Sequence, residues 1–172
     1  SMPGMMETIL NLGLNDETVE GLAKASGNAR FAFDSYRRFL QMYADVVLGV
    51  PIAKFEQLLG SKRVTNGVST DSELSADALR ALVHEYQQLI RFATGRDFPT
   101  DPQVQLWGAI EAVWKSWTLK KAIDYRRVNG ISHTLGTGVN IVSMVFGNMG
   151  EDSGTGVAFT RDPSTGERRF YG

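Results

Sequence analysis

The chain has 172 residues, 42% of them hydrophobic and 22% charged, with a formal net charge of −1. That length allows one domain, or a domain plus a fragment, with a core of its own, and the near-zero charge excludes a global field drawing it to nucleic acid or anionic lipid. It has no cysteine, which excludes disulfides, thiolate zinc sites, iron–sulfur clusters and cysteine nucleophiles; no apolar run is long enough to span a bilayer, the N-terminus lacks the pattern of a signal peptide, and a cytoplasmic location is the expectation.

In chain order, Ser1-Met2-Pro3-Gly4-Met5-Met6 is a compact glycine segment, followed by an apolar stretch that ends in a turn. Asn15 is placed to cap a helix whose first turn carries Asp16 and Glu17, as the helix dipole prefers. That helix stops near Ser26-Gly27. Asn28 is placed to cap the next, with Phe31, Tyr36, Phe39, Leu40, Tyr43 and Val47 on one face. Gly49 and Pro51 end it. Ile52 to Leu59 read as a short helix, and residues 60–73 as a polar, mobile loop.

Leu79, Leu82, Val83, Tyr86, Leu89, Ile90 and Ala93 mark a further helix that Gly95 ends. Thr100-Asp101-Pro102-Gln103 has the pattern of a capping box with Thr100 as the cap. The helix after it sets Trp107, Ile110, Trp114 and Trp117 on one face, which reads as core in preference to a nucleic-acid stacking surface, and helix continues to about Val128. Beyond that, Val139 to Phe146, Gly156 to Thr160 and Arg168 to Tyr171 read as strands. The expected fold class is α+β, mainly helical in its N-terminal two-thirds and closing with a small antiparallel sheet. The expected divisions are residues 1–15, a helical subdomain over 16–95, and helices plus strands over 96–172. So small a sheet with exposed edges reads as part of a larger unit, and Ser1 as a possible cloning scar.

The turn Ser153-Gly154-Thr155-Gly156 admits two readings. It is a hairpin turn between strands, or a flap whose bare N–H groups and Thr155 hydroxyl hold phosphate. It is neither a Walker A loop nor a dinucleotide-binding fingerprint. Met5 and Met6 beside Gly4 suit either core packing or stacking on a nucleobase. Val142, Ser143 and Met144 belong to a strand that is either simply buried or offers its backbone to an adenine edge. Arg37-Arg38 reads as a solvated helix face, and Arg126-Arg127 as cations at a helix C-terminus. Neither His84 nor His133 has partners at metal spacing, and no catalytic triad or carboxylate dyad stands out, so no catalytic or metal-binding residue is assigned.

Four runs taken together carry more than their parts: SMPGMMETILNLGLND (Ser1 to Asp16), RFAFDSYRRFLQMYADVV (Arg30 to Val47), FPTDPQVQLWGAIEAVWKSW (Phe98 to Trp117) and MVFGNMGEDSGTGVAFTRDPSTGE (Met144 to Glu167). They resemble the pyruvate, phosphate dikinase family over nearly the whole chain. The resemblance implies the middle of an ATP-grasp nucleotide-binding domain, in an enzyme that interconverts ATP, phosphate and pyruvate with AMP, pyrophosphate and phosphoenolpyruvate. It implies ATP and Mg²⁺ as cofactors. The implied partners are the phosphohistidine and pyruvate-binding domains and, for the full-length enzyme, a second copy. Nucleic acid and membrane are not implied.

By the same resemblance the nucleotide-proximal glycine loop falls on Ser1 to Met6, including Gly4, Met5 and Met6. The adenine-side strand falls on Asn140 to Met144, including Val142, Ser143 and Met144, and the phosphate flap on Ser153, Gly154, Thr155 and Gly156. The family's phosphate-binding arginine, acidic metal ligands and phosphohistidine have no counterpart in these residues, so the chain is expected to be inactive alone. Val142 departs from a glutamine expected there, and Gly130 to Gly138 departs from the family pattern. The alternative is a stand-alone helical interaction module without catalysis.

Overall fold

The computed structural model describes residues 2 and 4–172. Six α-helices form its body: α1 (Thr18–Ser26), α2 (Ala29–Val46), α3 (Ile52–Asn66), α4 (Ala76–Thr94), α5 (Pro102–Ser116) and α6 (Lys120–Val128). Of these described residues, no helix is long and apolar enough to cross a membrane.

Capping is local chemistry, and it follows the sequence closely at two corners. Asn15 Oδ1 accepts from the N–H groups of Glu17 and Thr18 at 2.9 and 2.7 Å, while Thr18 Oγ1 accepts from Asn15 N–H at 2.8 Å. The side-chain amide of Asn15 then donates to Thr100 O at 2.9 Å, so one residue starts α1 and ties it to the approach to α5. Asn28 Oδ1 accepts from Phe31 N–H at 3.0 Å and opens α2. At α5 the cap lies one residue later than expected. Asp101 accepts from Gln103 N–H at 2.8 Å, with Pro102 in the first turn, while the Thr100 carbonyl is taken by Asn15.

Helix α2 is the axis of the core. Phe31, Tyr36, Phe39, Leu40 and Tyr43 are all buried on it, as their spacing predicts. Phe39, Tyr43 and Phe98 form an edge-to-face triad with centroids 5.4–5.6 Å apart. Each such buried ring contributes about 1.5–3 kcal/mol, and the edge-to-face pairs add to that. Helix α4 lays Leu79, Leu82, Val83, Tyr86 and Ile90 into the same core. Gly108 marks where α5 crosses α2, since a Cβ there would lie 2.3 Å from Tyr43 Oη.

Residues 60–73 are not the loop their composition suggests. Helix α3 runs on to Asn66 and stops at Gly67, whose φ of 66° only glycine adopts readily. Lys62 pairs with Glu85 of α4. Thr70 and Glu73 form a reciprocal capping box around a 3₁₀ turn at Asp71–Glu73, and the backbone N–H of Thr70, first among its contacts, holds the Glu73 carboxyl below its ordinary value. Arg37 also departs from the solvated-face reading. It is buried, pairing with Asp34 at 2.8 Å and with Asp71 at 3.2 Å. Arg30 donates to the carbonyls of Asp71 and Leu74, so this segment is pinned to α2.

The expected antiparallel sheet is absent among the described residues. Past Val128 the chain makes a 3₁₀ turn at His133–Leu135 and then runs without strands. A single antiparallel bridge joins Phe159 and Tyr171, with N–H···O distances of 2.7 and 3.0 Å. It closes a turn in which Asp162 accepts from the N–H groups of Ser164 and Thr165 and pairs with Arg169 at 2.8 Å. Arg169, the foremost cause, and these N–H groups keep the Asp162 carboxyl below its ordinary value. The physical reason for the missing sheet is pairing. Ile141, Val142, Val145 and Val157 have β propensity but are exposed, and a strand exists only through the ladder it shares with a neighbour.

Two buried phenols make the fold sensitive to alkali. Tyr86 donates to Phe55 O at 3.0 Å, and burial pushes its hydroxyl from 10.0 up to about 12. Burial, and then Asp16 beside it, raises Tyr36 as well. The neutral phenol is therefore retained in the folded state at a pH where the unfolded chain ionises. Stability is fully present below about pH 10 and falls as pH rises towards 12, by roughly 2–3 kcal/mol for Tyr86 alone. The urea midpoint is expected to hold steady from pH 7 to 9 and to drop above 10, with a shallower alkaline slope in Tyr86→Phe. An unchanged slope in that variant contradicts the assignment.

Candidate functional site

A cavity of about 730 Å³ opens between three elements: the N-terminal strap from Met6 to Leu14, helix α5, and the extended segment from Thr137 to Met144. The strap is held by side chains chosen for its backbone. Gln105, fully buried on α5, accepts from Gly13 N–H at 3.0 Å and donates to Leu14 O at 3.0 Å and Pro99 O at 2.7 Å. Ser116 Oγ accepts from Glu7 N–H at 3.2 Å, and Lys121 pairs with Glu7 at 2.5 Å. Asn11 sits on the cavity wall at a φ of 61° with its Oδ1 buried and without a partner. Such an orphaned acceptor costs about 1–3 kcal/mol.

The opposite wall is backbone. The apolar lining of the cavity, from the strap and α5, includes Leu12, Leu106, Ile110 and Val113. Among the described residues, the main-chain N–H and C=O groups of 139–145 have no hydrogen-bond partner. An apolar slot edged by free main-chain donors and acceptors suits a flat heteroaromatic ring, and its volume falls in the range of small-molecule sites.

Met6, Val142, Ser143 and Met144, drawn from opposite ends of the chain, all line this one cavity. Gly4 and Met5 lie in a turn closed by Met5 N–H to Met2 O at 3.2 Å, outside the lining. Ser1 and Pro3 of the expected glycine loop lie outside the described residues. The turn Ser153 to Gly156 does not line the cavity but sits next to its edge. Phe146 lines the cavity, and the following Gly147 packs so closely on the turn that a Cβ would fall 1.6 Å from Thr155 Oγ1 and 2.8 Å from Gly154 O. Ser153 N–H bonds to Gly150 O at 3.0 Å. The N–H groups of Gly154, Thr155 and Gly156 have no acceptor among the described residues.

Sequence reasoning missed Gln105, Asn11 and Gly147. Gln105 reads as one more polar residue on a helix, and only its burial reveals its part. Gly147 had a signal, since it lies in the FGNMG string. The tryptophan face of α5 is not its core face. Trp107 and Trp114 are 58% and 49% exposed, because α5 buries Gln105, Ala109, Ala112 and Ser116 instead. Trp117 is covered by Arg126, whose guanidinium lies 3.8 Å from the ring centroid, donates to Trp117 O at 2.8 Å and to His133 Nδ1 at 2.9 Å. This clamp fixes the start of the segment that leads into the cavity wall.

No group of three or more His, Asp or Glu side chains among the described residues is arranged to hold a metal ion. The donor set here does not fit Mg²⁺, and no chemical step is assigned through it.

Comparison with known proteins agrees across the chain. It is 56% identical to pyruvate, phosphate dikinase of Clostridium symbiosum over 173 residues, covering 100% of this chain and 20% of that protein. It is 57% identical over 171 residues to the Giardia intestinalis enzyme of that name, covering 99% of this chain and 19% of the other. With the chloroplastic pyruvate, phosphate dikinase 1 of Arabidopsis thaliana it shares 56% over 172 residues, which is 100% of this chain and 18% of that one. The chain thus spans about one fifth of the length of these relatives. The family described as pyruvate phosphate dikinase, AMP/ATP-binding domain matches residues 1–171, and the chain belongs to that family.

Proposed function

We propose that this chain is the nucleotide-holding part of a pyruvate, phosphate dikinase, an enzyme taking ATP, phosphate and pyruvate to AMP, pyrophosphate and phosphoenolpyruvate. The observation that carries this is the cavity uniting Met6 with Val142, Ser143 and Met144. The adenine would lie against the apolar wall with its edge on the backbone of 140–144. Thr155 and the free N–H groups of the Ser153–Gly156 turn would meet the phosphates, with Gly4 and Met5 at the entrance. Phosphoryl transfer depends on such positioning and on charge neutralisation. Mg²⁺, the phosphohistidine and the pyruvate site belong to the remainder of the dikinase chain, so these residues alone are inactive. The working enzyme is a homodimer in the cytoplasm, although relatives named chloroplastic share the same segment.

Thr155→Ala in the full dikinase chain tests this. The ATP half-reaction is expected to slow by about ten- to a hundred-fold, the worth of one hydrogen bond to a charged group. Interconversion of pyruvate and phosphoenolpyruvate on the phosphorylated enzyme is expected to hold its rate. An ATP half-reaction at the wild-type rate contradicts the assignment. A second reading, a helical interaction module, draws support from exposed Trp107 and Trp114, and it expects no loss in either half-reaction.

A further inference from the structure

The residues from Gly147 to Val157 carry the glycine turn, yet they are tied to the helical body by very little. Among the described residues, one hydrogen bond joins them to a helix corner: Asn28 Nδ2 donates to Met149 O at 3.1 Å. The same side chain caps α2 through Oδ1, which accepts from Phe31 N–H at 3.0 Å. The two contacts together fix the amide's orientation, because the N–H of Phe31 needs an acceptor and the carbonyl of Met149 needs a donor. Phe31 itself meets Phe146 edge-on, with centroids 5.0 Å apart and planes at 83°. Phe146 lines the cavity, and Gly147 touches Thr155 and Gly154. A continuous set of contacts therefore runs from the first turn of α2 to the tip of the glycine turn.

We propose that Asn28 is a positioning residue for the nucleotide site: it anchors the root of the glycine turn at Met149, with Phe31 bracing Phe146, and so presets the turn beside the cavity. This rests on the reading of that turn as a phosphate flap. The physical basis is preorganisation. A segment of mostly exposed residues with one external hydrogen bond loses conformational freedom when it closes on a ligand, and an anchor at its root removes part of that cost beforehand. Asn28 is suited to the task because its amide serves two backbones at once. Asp would cap the helix equally well but has no donor for Met149 O, and Ser, whose one hydroxyl can both accept and donate, is shorter than the amide whose separate Oδ1 and Nδ2 reach Phe31 N–H and Met149 O.

Asn28→Asp in the full dikinase chain separates the two roles. Aspartate keeps the cap and loses the donor. The thermal midpoint is expected to stay within about 2 °C of wild type, since cap strength is nearly equal for the two residues. Nicking after Glu151 by a glutamate-specific protease without ATP is expected to quicken by about three- to ten-fold, the equivalent of one net hydrogen bond. KM for ATP is expected to rise by a similar factor while KM for pyruvate holds. Asn28→Ser, which caps with a shorter side chain, is expected to reproduce the pattern and guards against a misfolded aspartate variant. Nicking after Glu151 at the wild-type rate in both variants overturns the anchor. Faster nicking with an unchanged KM for ATP overturns its part in nucleotide binding. ATP failing to slow nicking in the wild-type enzyme would instead overturn the flap reading, while the nicking without ATP still decides the anchor.

Discussion

Replacing Arg37 with Met is expected to destabilise this chain by about 3 kcal/mol, while replacing its neighbour Arg38 with Met costs less than about 1 kcal/mol. The two residues are adjacent in a dipeptide and both pair with Asp34, Arg37 at 2.8 Å and Arg38 at 2.9 Å. What separates them is solvent. The Arg37 side chain is 4% exposed and that of Arg38 is 56%. Water already solvates Arg38, so its pair adds little. Methionine at 37 would fill the same volume with no charge and leave the Asp34 carboxylate, 5% exposed, with a single surface partner. It would also release Asp71, which Arg37 holds at 3.2 Å between α3 and α4. The check is urea unfolding of the two variants side by side. Adding Asp34→Asn to Arg37→Met is expected to cost less than the sum of the single changes, because the stranded charge goes with its partner. Equal costs for Arg37→Met and Arg38→Met would contradict the ion pair's structural part.

Local features were the legible ones. Asn28 caps α2 because an amide oxygen needs only the next turn's N–H to act on, and both lie within a few residues. The core face of α2 was legible for the same reason, since period alone sets it. Periodicity does not say which face meets solvent, so Trp107 and Trp114 read as core while small Ala109 and Ala112 occupy it. The sheet failed for a complementary reason. Val142 and Val145 carry β propensity, but propensity reports fit to a paired surface and supplies no partner. Composition hides the helix in residues 60–73, where the Lys62–Glu85 pair supports α3 through a polar stretch until Gly67 ends it at a left-handed φ. In the site, the resemblance named Met6 and Val142 to Met144 separately, but their common cavity depends on Gln105 holding the strap, a contact between distant segments that no local pattern encodes.

Gly147→Ala is expected to lower the rate of the ATP half-reaction in the full dikinase chain by about a hundred-fold, the scale of misplacing a reacting group by about 1 Å. Gly147 is not among the residues at positive φ, so alanine would meet no backbone strain. On backbone grounds alone the substitution would stabilise slightly, through the unfolded chain. Its effect must come from the neighbours. The Thr155 hydroxyl, 1.6 Å from the new methyl, is able to rotate away, but the Gly154 carbonyl at 2.8 Å is main chain and moves only with the turn. The turn is thereby displaced from Phe146 and the cavity edge. Because Gly154 and Thr155 are exposed, the thermal midpoint of the chain is expected to shift little. Gly150→Ala is the matched control, since its Cβ would meet only the end of the Asp152 side chain at 3.3 Å. That variant is expected to stay within about three-fold of wild type, well under one hydrogen bond to a charged group. Combining Gly147→Ala with Thr155→Ala removes the hydroxyl but not the Gly154 carbonyl, so the double variant is expected to be slower than Thr155→Ala alone. A double variant as fast as Thr155→Ala alone would place the conflict in the side chain and contradict displacement of the turn.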